Sequence, residues 1–303
     1  MNIILDNVIF SRQKVGGITT WWKSITSTFT NDRELSFICS DGLFWFLPKM
    51  KKCDIFLSSY ITINIYPRCK NYFVIHDVIR EKYDSSIKTN FYKIYIKIAI
   101  KISYKIITIS EKVKDEIHSI YKVPKSKIIV IKHGIKFSKG NLQKRTIHPS
   151  NEYLIVGKRK SYKNFKGSIH KLQNQNVVIA GPPLNSDEEY LLKKNNITWK
   201  EYQYPSDQIL GELYSSSKYL FWPSLDEGFG LPLLEAINFG CIPIVHSNEI
   251  NKEILGDFIL LIDDIPNVIV KYSLEEYWEY FSQNYSLDRM KSEFRKAIIQ
   301  EEK

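Results

Sequence analysis

The chain has 303 residues, 44% of them hydrophobic and 25% charged, enough for two domains that each bury a core. No run approaches the roughly 18 uncharged apolar residues of a membrane span. Its four cysteines (Cys39, Cys53, Cys69, Cys241) form no Cys-x-x-Cys pair, which argues against a disulfide framework or a zinc site. The net charge of +10 is uneven: residues 1–150 hold 26 Lys+Arg against 11 Asp+Glu, and residues 151–303 hold 17 against 22. A basic half implies an anionic partner, a phosphate or a phospholipid surface. Nucleic acid fits poorly, because there is no zinc finger, ribonucleoprotein aromatic signature or glycine-arginine tract. The start, Met1 to Phe10, carries Asp6 and no basic leader, so it reads as a first strand rather than a signal peptide. The expectation is a cytoplasmic protein.

Short β-branched or aromatic runs alternate with helix-length intervals. The predicted strands of the first half are Ile3–Leu5, Ser36–Cys39, Ile55–Ser58, Tyr72–Ile75, Ile106–Ile109 and Ile128–Ile131. Those of the second are Tyr153–Val156, Val177–Ala180, Ile197–Lys200, Tyr219–Trp222, Ile242–Val245 and Ile259–Ile262. Near-continuous apolar runs at this spacing predict parallel strands buried on both faces, hence two doubly wound α/β domains. The stretch Lys136–Asn151 loses hydrophobic periodicity and gains Gly, Pro, Ser and Asn. It places a boundary between an N-terminal domain, 1–145, and a C-terminal domain, 146–273. The last thirty residues, 274–303, read as an amphipathic helical segment that can pack back on the first domain. Between Asn90 and Lys105, Lys93, Lys97, Lys101 and Lys105 recur every four residues among isoleucines. On a helix they form a basic stripe, either simply solvated or facing anionic headgroups.

The stretch Ser224–Asp257 carries most of the chemistry. A strand runs into the turn Glu227-Gly228-Phe229-Gly230, and a helix opens at Leu231-Pro232. Pro suits the first helical turn, and the glycines let backbone approach a ligand. The amides at a helix start attract anions, and open α/β sheets bind ligands at the carboxyl ends of their strands. Glu235 follows about one turn into the helix, so Glu227 and Glu235 can bracket the hydroxyls of one ligand. After the strand Tyr153–Val156, Gly157 leads into Lys158-Arg159-Lys160-Ser161-Tyr162-Lys163-Asn164-Phe165. That loop is rich in fixed cations.

These motifs resemble the family-four retaining glycosyltransferases, whose Glu-x7-Glu signature would here be Glu227 and Glu235. The resemblance covers nearly the whole chain and is strongest from Tyr153 to Asp257. It implies the GT-B architecture: two Rossmann-like, doubly wound parallel-sheet domains facing an interdomain cleft. It implies donor-sugar contact by Glu227, ribose contact by Glu235, and amides of Gly228, Phe229, Gly230 and Leu231 toward sugar and diphosphate. Arg159 and Lys163 would clamp the diphosphate, in the Tyr-Lys-Asn variant of mannosyltransferase-like members. In the first half, Gly16 and Gly17 would border donor and acceptor, and His76 would touch the donor sugar. Ser110 reads as a helix cap and Gly134 as a domain-ending turn. Tyr202 or Tyr204 would flank the nucleotide base. Each has a plainer reading as well: a flexible turn for the glycine pair, a hydrogen-bonded turn residue for His76, a basic surface loop for Arg159 and Lys163.

The implied reaction moves a hexose from a nucleotide-diphosphate sugar, GDP-mannose-like before UDP-sugar, to a growing glycan or lipid-linked acceptor. It would run with retention, without a metal and without a cofactor beyond the donor itself. No Asp-x-Asp occurs in the chain, which disfavours the metal-clamped class. The basic first domain adds an anionic membrane surface as partner, with a peripheral place on the inner face. The main rival is a non-catalytic nucleotide-sugar-binding scaffold of a glycan-assembly complex. A sugar-nucleotide epimerase shares the two-domain form, and a phosphorylase would need a far longer chain.

Overall fold

The computed structural model describes residues 2–13, 16–28, 35–38, 49–143 and 151–299. Cys39 and part of the expected linker lie outside them. The chain divides into two compact units, Met1–Gly134 with Leu287–Lys303, and Ile135–Ser286.

The first unit is built on six parallel strands: β1 (Ile3–Asp6), β2 (Leu35–Ile38), β3 (Ile55–Leu57), β4 (Lys70–Val74), β5 (Lys105–Thr108) and β6 (Ile128–Val130). Their order is β2-β1-β3-β4-β5-β6, so the direction of winding reverses between β1 and β3. Helices cover the sheet because β-branched runs such as Ile106-Ile107 are buried. Ser110 caps its helix, Glu111–Tyr121, by accepting from Val113 N at 3.2 Å. Trp21 and Trp22, from helix Gly17–Thr28, lie fully inside. The helix Leu287–Ile299 completes this core with Met290, Phe294 and Ile298, and Phe294 meets Trp21 at 5.7 Å. Cys53 and Cys69, distant in sequence, come within 2.7 Å at their sulfurs, where Asn64 Nδ2 donates to Cys53 Sγ.

The second unit holds five parallel strands: β7 (Asn151–Val156), β8 (Asn176–Gly181), β9 (Thr198–Gln203), β10 (Ser217–Trp222) and β11 (Ile242–Val245), in the order β11-β10-β7-β8-β9. Winding reverses between β7 and β10, which pair through Tyr219 with Tyr153 and Leu220 with Leu154. Gly181 lets two turns close together. A Cβ there would stand 2.5 Å from the Gly157 carbonyl oxygen, and Gly157 itself has φ +96.

The structure differs from four expectations. The units part at Gly134 and Ile135, ahead of the predicted 145. The reason is hydrogen bonding: Ile135 N donates to Tyr285 O at 3.0 Å and Ser138 N to Asn238 Oδ1 at 2.9 Å, which ties 135–138 into the second unit. Of the segment 274–303, the helix Leu274–Asn284 belongs to the second unit, because Tyr277 and Phe281 pack on Phe258. The predicted strand Ile259–Ile262 is not one. Single turns of 3-10 helix on either side, Gly256–Phe258 and Ile262–Asp264, leave only a bridge from Leu261 to Val245. The lysine stripe also stops at Lys101, since the helix is Ile87–Ile102 and Lys105 already lies on β5.

Candidate functional site

In a doubly wound sheet, ligands sit beyond the carboxyl ends of the strands where winding reverses. In the second unit those ends belong to β7 and β10, and the loops leaving them carry the predicted chemistry. The β7 loop runs from Gly157 through the 3-10 turn Ser161–Lys163 to Asn164, which takes a left-handed φ of 51. The β10 loop runs from Pro223 to Gly230 and enters helix Leu231–Asn238 with Pro232 in its first turn. Gly230 has φ +107, a conformation that a side chain would strain. The first amides of that helix have no carbonyl of their own helix to bind, so its entry carries partial positive charge.

The two loops are stitched together. Leu225 N donates to Tyr162 O at 2.9 Å, and Asn248 Nδ2 donates to Ser224 O at 3.0 Å. Across the seam Lys163 Nζ pairs with Glu227 Oε1, both side chains largely buried. Lys163 Nζ also stands 4.3 Å above the Trp222 ring, a cation–π contact that helps hold it at the strand end. Arg159 lines the same narrow cavity of about 20 Å³ with Lys163 and Trp222. Its guanidinium is held from the far side: Nη2 donates to Pro182 O at 2.7 Å and Pro183 O at 2.9 Å, and Nε lies 3.1 Å from Glu188 Oε1. Arg159 Nη1 and Trp222 Nε1 are buried with no hydrogen-bond partner, and Arg159 Nε has only its ion-pair contact with Glu188.

Glu235 is on the helix that the glycine turn opens, half-buried, and accepts from Tyr214 OH at 3.2 Å. Burial raises its carboxyl above the usual range, partly offset by that hydrogen bond. Phe229 is buried against Tyr285 at 6.0 Å, so its ring serves the core. Tyr204 follows β9 with its ring 71% exposed, while its N–H donates to Gly181 O at 2.9 Å. Tyr202 is also exposed. The structure therefore brings together Arg159, Lys163, Glu227 and the 228–231 turn, and leaves Tyr204 on the surface.

Gly16, Gly17 and His76 belong to the first unit. Gly16 has φ +144 and Gly17 opens the helix that carries Trp21. His76 follows β4, buried edge-on to Trp21 at 4.8 Å, with neither ring nitrogen hydrogen-bonded. Burial lowers its pKa to about 3, so the imidazole is neutral near pH 7. Beside it lies a cavity of about 140 Å³ lined by Asp77, Arg80, Glu81 and Tyr92 among others. Tyr121 OH donates to Glu81 Oε1 at 2.5 Å, and burial raises the Glu81 carboxyl.

Sequence reasoning missed Glu188, Trp222 and the knot around His246. Glu188 both pairs with Arg159 and closes a capping box with Asn185. The Asn185-Ser-Asp-Glu188 spacing was the available signal. Ser168 Oγ and Asn164 Nδ2 converge on His246 Nε2 at 2.8 and 3.1 Å, pinning the β7 loop to the end of β11. Nothing in the sequence marks that contact. Among the described residues no three His, Cys, Asp or Glu side chains stand together as a metal-ligand set.

The two doubly wound parallel sheets define a GT-B scaffold. Residues 139–268 match the family model of the glycosyl transferases group 1. The O-antigen chain mannosyltransferase RfbU of Salmonella typhimurium is 28% identical over 201 residues, 62% of this chain and 55% of that protein. The O-antigen chain mannosyltransferase B of Escherichia coli is 28% identical over 184 residues, 54% of this chain and 48% of that protein. The chain thus spans about half the length of these curated relatives. Among solved structures, Anabaena HepE in complex with UDP and glucose superposes with a TM-score of 0.70 at 12% identity, covering 98% of this chain and 99% of that one. The lipopolysaccharide outer core galactosyltransferase WaaB gives 0.65 at 14% identity, covering 99% and 100%.

Proposed function

We propose that the protein is a retaining, metal-independent hexosyltransferase that uses a nucleotide-diphosphate sugar, GDP-mannose-like, and builds a surface polysaccharide on a lipid-linked or growing glycan acceptor. One observation carries the donor site. Lys163 and the orphan donors Arg159 Nη1 and Trp222 Nε1 line one cavity at the ends of β7 and β10, and the loop leaving β10 enters the helix at Leu231. As it stands the cavity holds little more than a water, so Lys163 must exchange Glu227 for phosphate when donor enters. Glu227 is then released to the sugar hydroxyls.

In that arrangement Lys163, Arg159 and the amides of 230–231 neutralise the departing diphosphate without reorganising, so no divalent ion is needed. Glu235, its carboxyl raised by burial, accepts ribose hydroxyls. Tyr204 is the proposed flank of the base. Gly16, Gly17 and neutral His76 are assigned to the sugar and acceptor lining. The mannose preference is supported by the two O-antigen mannosyltransferases and the Tyr162-Lys163-Asn164 variant.

A thermal-shift panel of nucleotide diphosphates and their sugars, followed by slow donor hydrolysis without acceptor, tests the reading. GDP and GDP-mannose are expected to raise the transition most, and Lys163→Ala to lower turnover by about 10²-fold or more. A larger shift with UDP moves the donor to a UDP-sugar. Binding with no hydrolysis and no transfer to any glycan acceptor selects the non-catalytic scaffold.

A further inference from the structure

Helix Ile87–Ile102 has two apolar faces, and the core uses only one. Thr89, Ile96, Ala99 and Ile100 are buried, with Tyr92 and Tyr95 packed beside them. Ile87, Phe91, Ile94, Ile98 and Ile102 are instead exposed, at 75, 70, 56, 52 and 42%. At about 100° per residue they fall within one arc of roughly 80° on the opposite side of the helix. Lys101 and Lys97 flank one border of that arc, and Lys88 stands on the other.

A groove of about 470 Å³ opens beside the last turns of the same helix, between it and residues 121–127. Four of the residues lining it are Lys97, Lys101, Lys122 and Lys127, and no acidic residue does. Lys127 Nζ is fixed by donating to Ile100 O at 2.8 Å, which anchors the groove to the helix end. Lys122 is held in a left-handed turn, φ 57. Lys97, Lys101 and Lys122 make no ion pair with any described carboxylate.

We infer that this face docks on an anionic phospholipid bilayer, with the apolar stripe lying among the acyl chains near the interface and the lysine groove taking headgroup phosphates. A helix with one exposed apolar stripe bordered by lysines lies in the plane of the interface. Each lysine near an anionic leaflet adds to the attraction. A second copy of the chain is disfavoured, since it would set lysine row against lysine row. Nucleic acid would leave Phe91 and the isoleucines against phosphates. The inference deepens the partner part of the proposed function, yet its test needs neither donor nor acceptor.

The test is flotation of the full chain with vesicles of phosphatidylcholine alone or mixed with phosphatidylglycerol, at low and high salt. Binding only to the phosphatidylglycerol vesicles, with a fraction surviving high salt, is expected. The variant Phe91→Ser/Ile94→Ser/Ile98→Ser should lose the salt-resistant fraction and bind about tenfold less. The variant Lys97→Ser/Lys101→Ser/Lys122→Ser should lose the lipid preference. Hydrogen exchange of the unaltered protein on vesicles, with protection confined to 87–102 and 121–127, supports the docking without any substitution. Equal binding to both vesicles, protection elsewhere, release by glycerol phosphate, or a dimer that the apolar variant dissolves would each overturn it. Nucleotide binding measured in parallel shows whether the donor reading stands or falls separately.

Discussion

The two units wind their sheets by the same rule but treat buried polarity in opposite ways. In the second unit nearly every charged group at the switch point is matched: Lys163 by Glu227, Arg159 by Glu188 and two carbonyls, Glu235 by a tyrosine hydroxyl. In the first unit the end of β4 holds His76, an imidazole with no hydrogen-bond partner, pressed against tryptophan. The difference fits a division of labour. Matched charges pre-organise a site for a fixed anionic group such as a diphosphate. Around His76 the imidazole is neutral while Asp77, Arg80 and Glu81 line the adjoining cavity, so polarity there is mixed rather than paired off.

The sharpest way to break the contrast is to unmatch the second unit. Glu188→Gln keeps the helix cap but leaves the Arg159 guanidinium, 5% exposed at its side chain, without its counter-ion. A loss of about 3 kcal/mol is expected from denaturant unfolding, with hydrogen exchange rising around β7 and β8 only. Gly181→Ala should cost about 2 kcal/mol, because its new Cβ meets backbone at Gly157 rather than a movable side chain. Thermal melting measures it, and the first unit should be unaffected.

The smallest effect near neutral pH belongs to the first unit. His76 has a folded pKa of about 3 against 6.5 unfolded, and His133 is likewise lowered by burial and by His76. The unfolded chain takes up protons that the folded one refuses. Stability from these groups is therefore present above about pH 6.5 and is lost as pH falls toward 3. The melting temperature of the first unit should drop below pH 6.5, and His76→Phe should flatten that slope. Asp6 acts in the opposite sense: burial raises its carboxyl to about 6, so its contribution falls as pH rises from 3.8 to 6.

Eleven of twelve strands were legible because apolar β-branched runs between helix-length intervals have few other solutions. Ile259–Ile262 had the same composition and failed, since hydrogen bonding on both sides closed it into single helical turns. The site motifs were legible where chemistry demands a residue type at a fixed step: glycines where φ turns positive, and Pro at a helix entry. The ion pair of Lys163 with Glu227 spans 64 positions, and no local pattern announces it.

Sequence alone determined the class of fold and the positions of the cation loop and the glycine turn, because each is a short-range consequence of backbone stereochemistry and side-chain charge. Tertiary structure decided which charges are matched, where the units divide, and which face of helix Ile87–Ile102 stays exposed. Those outcomes depend on what packs against each element. That is settled by burial between segments distant in sequence and leaves no mark within either one.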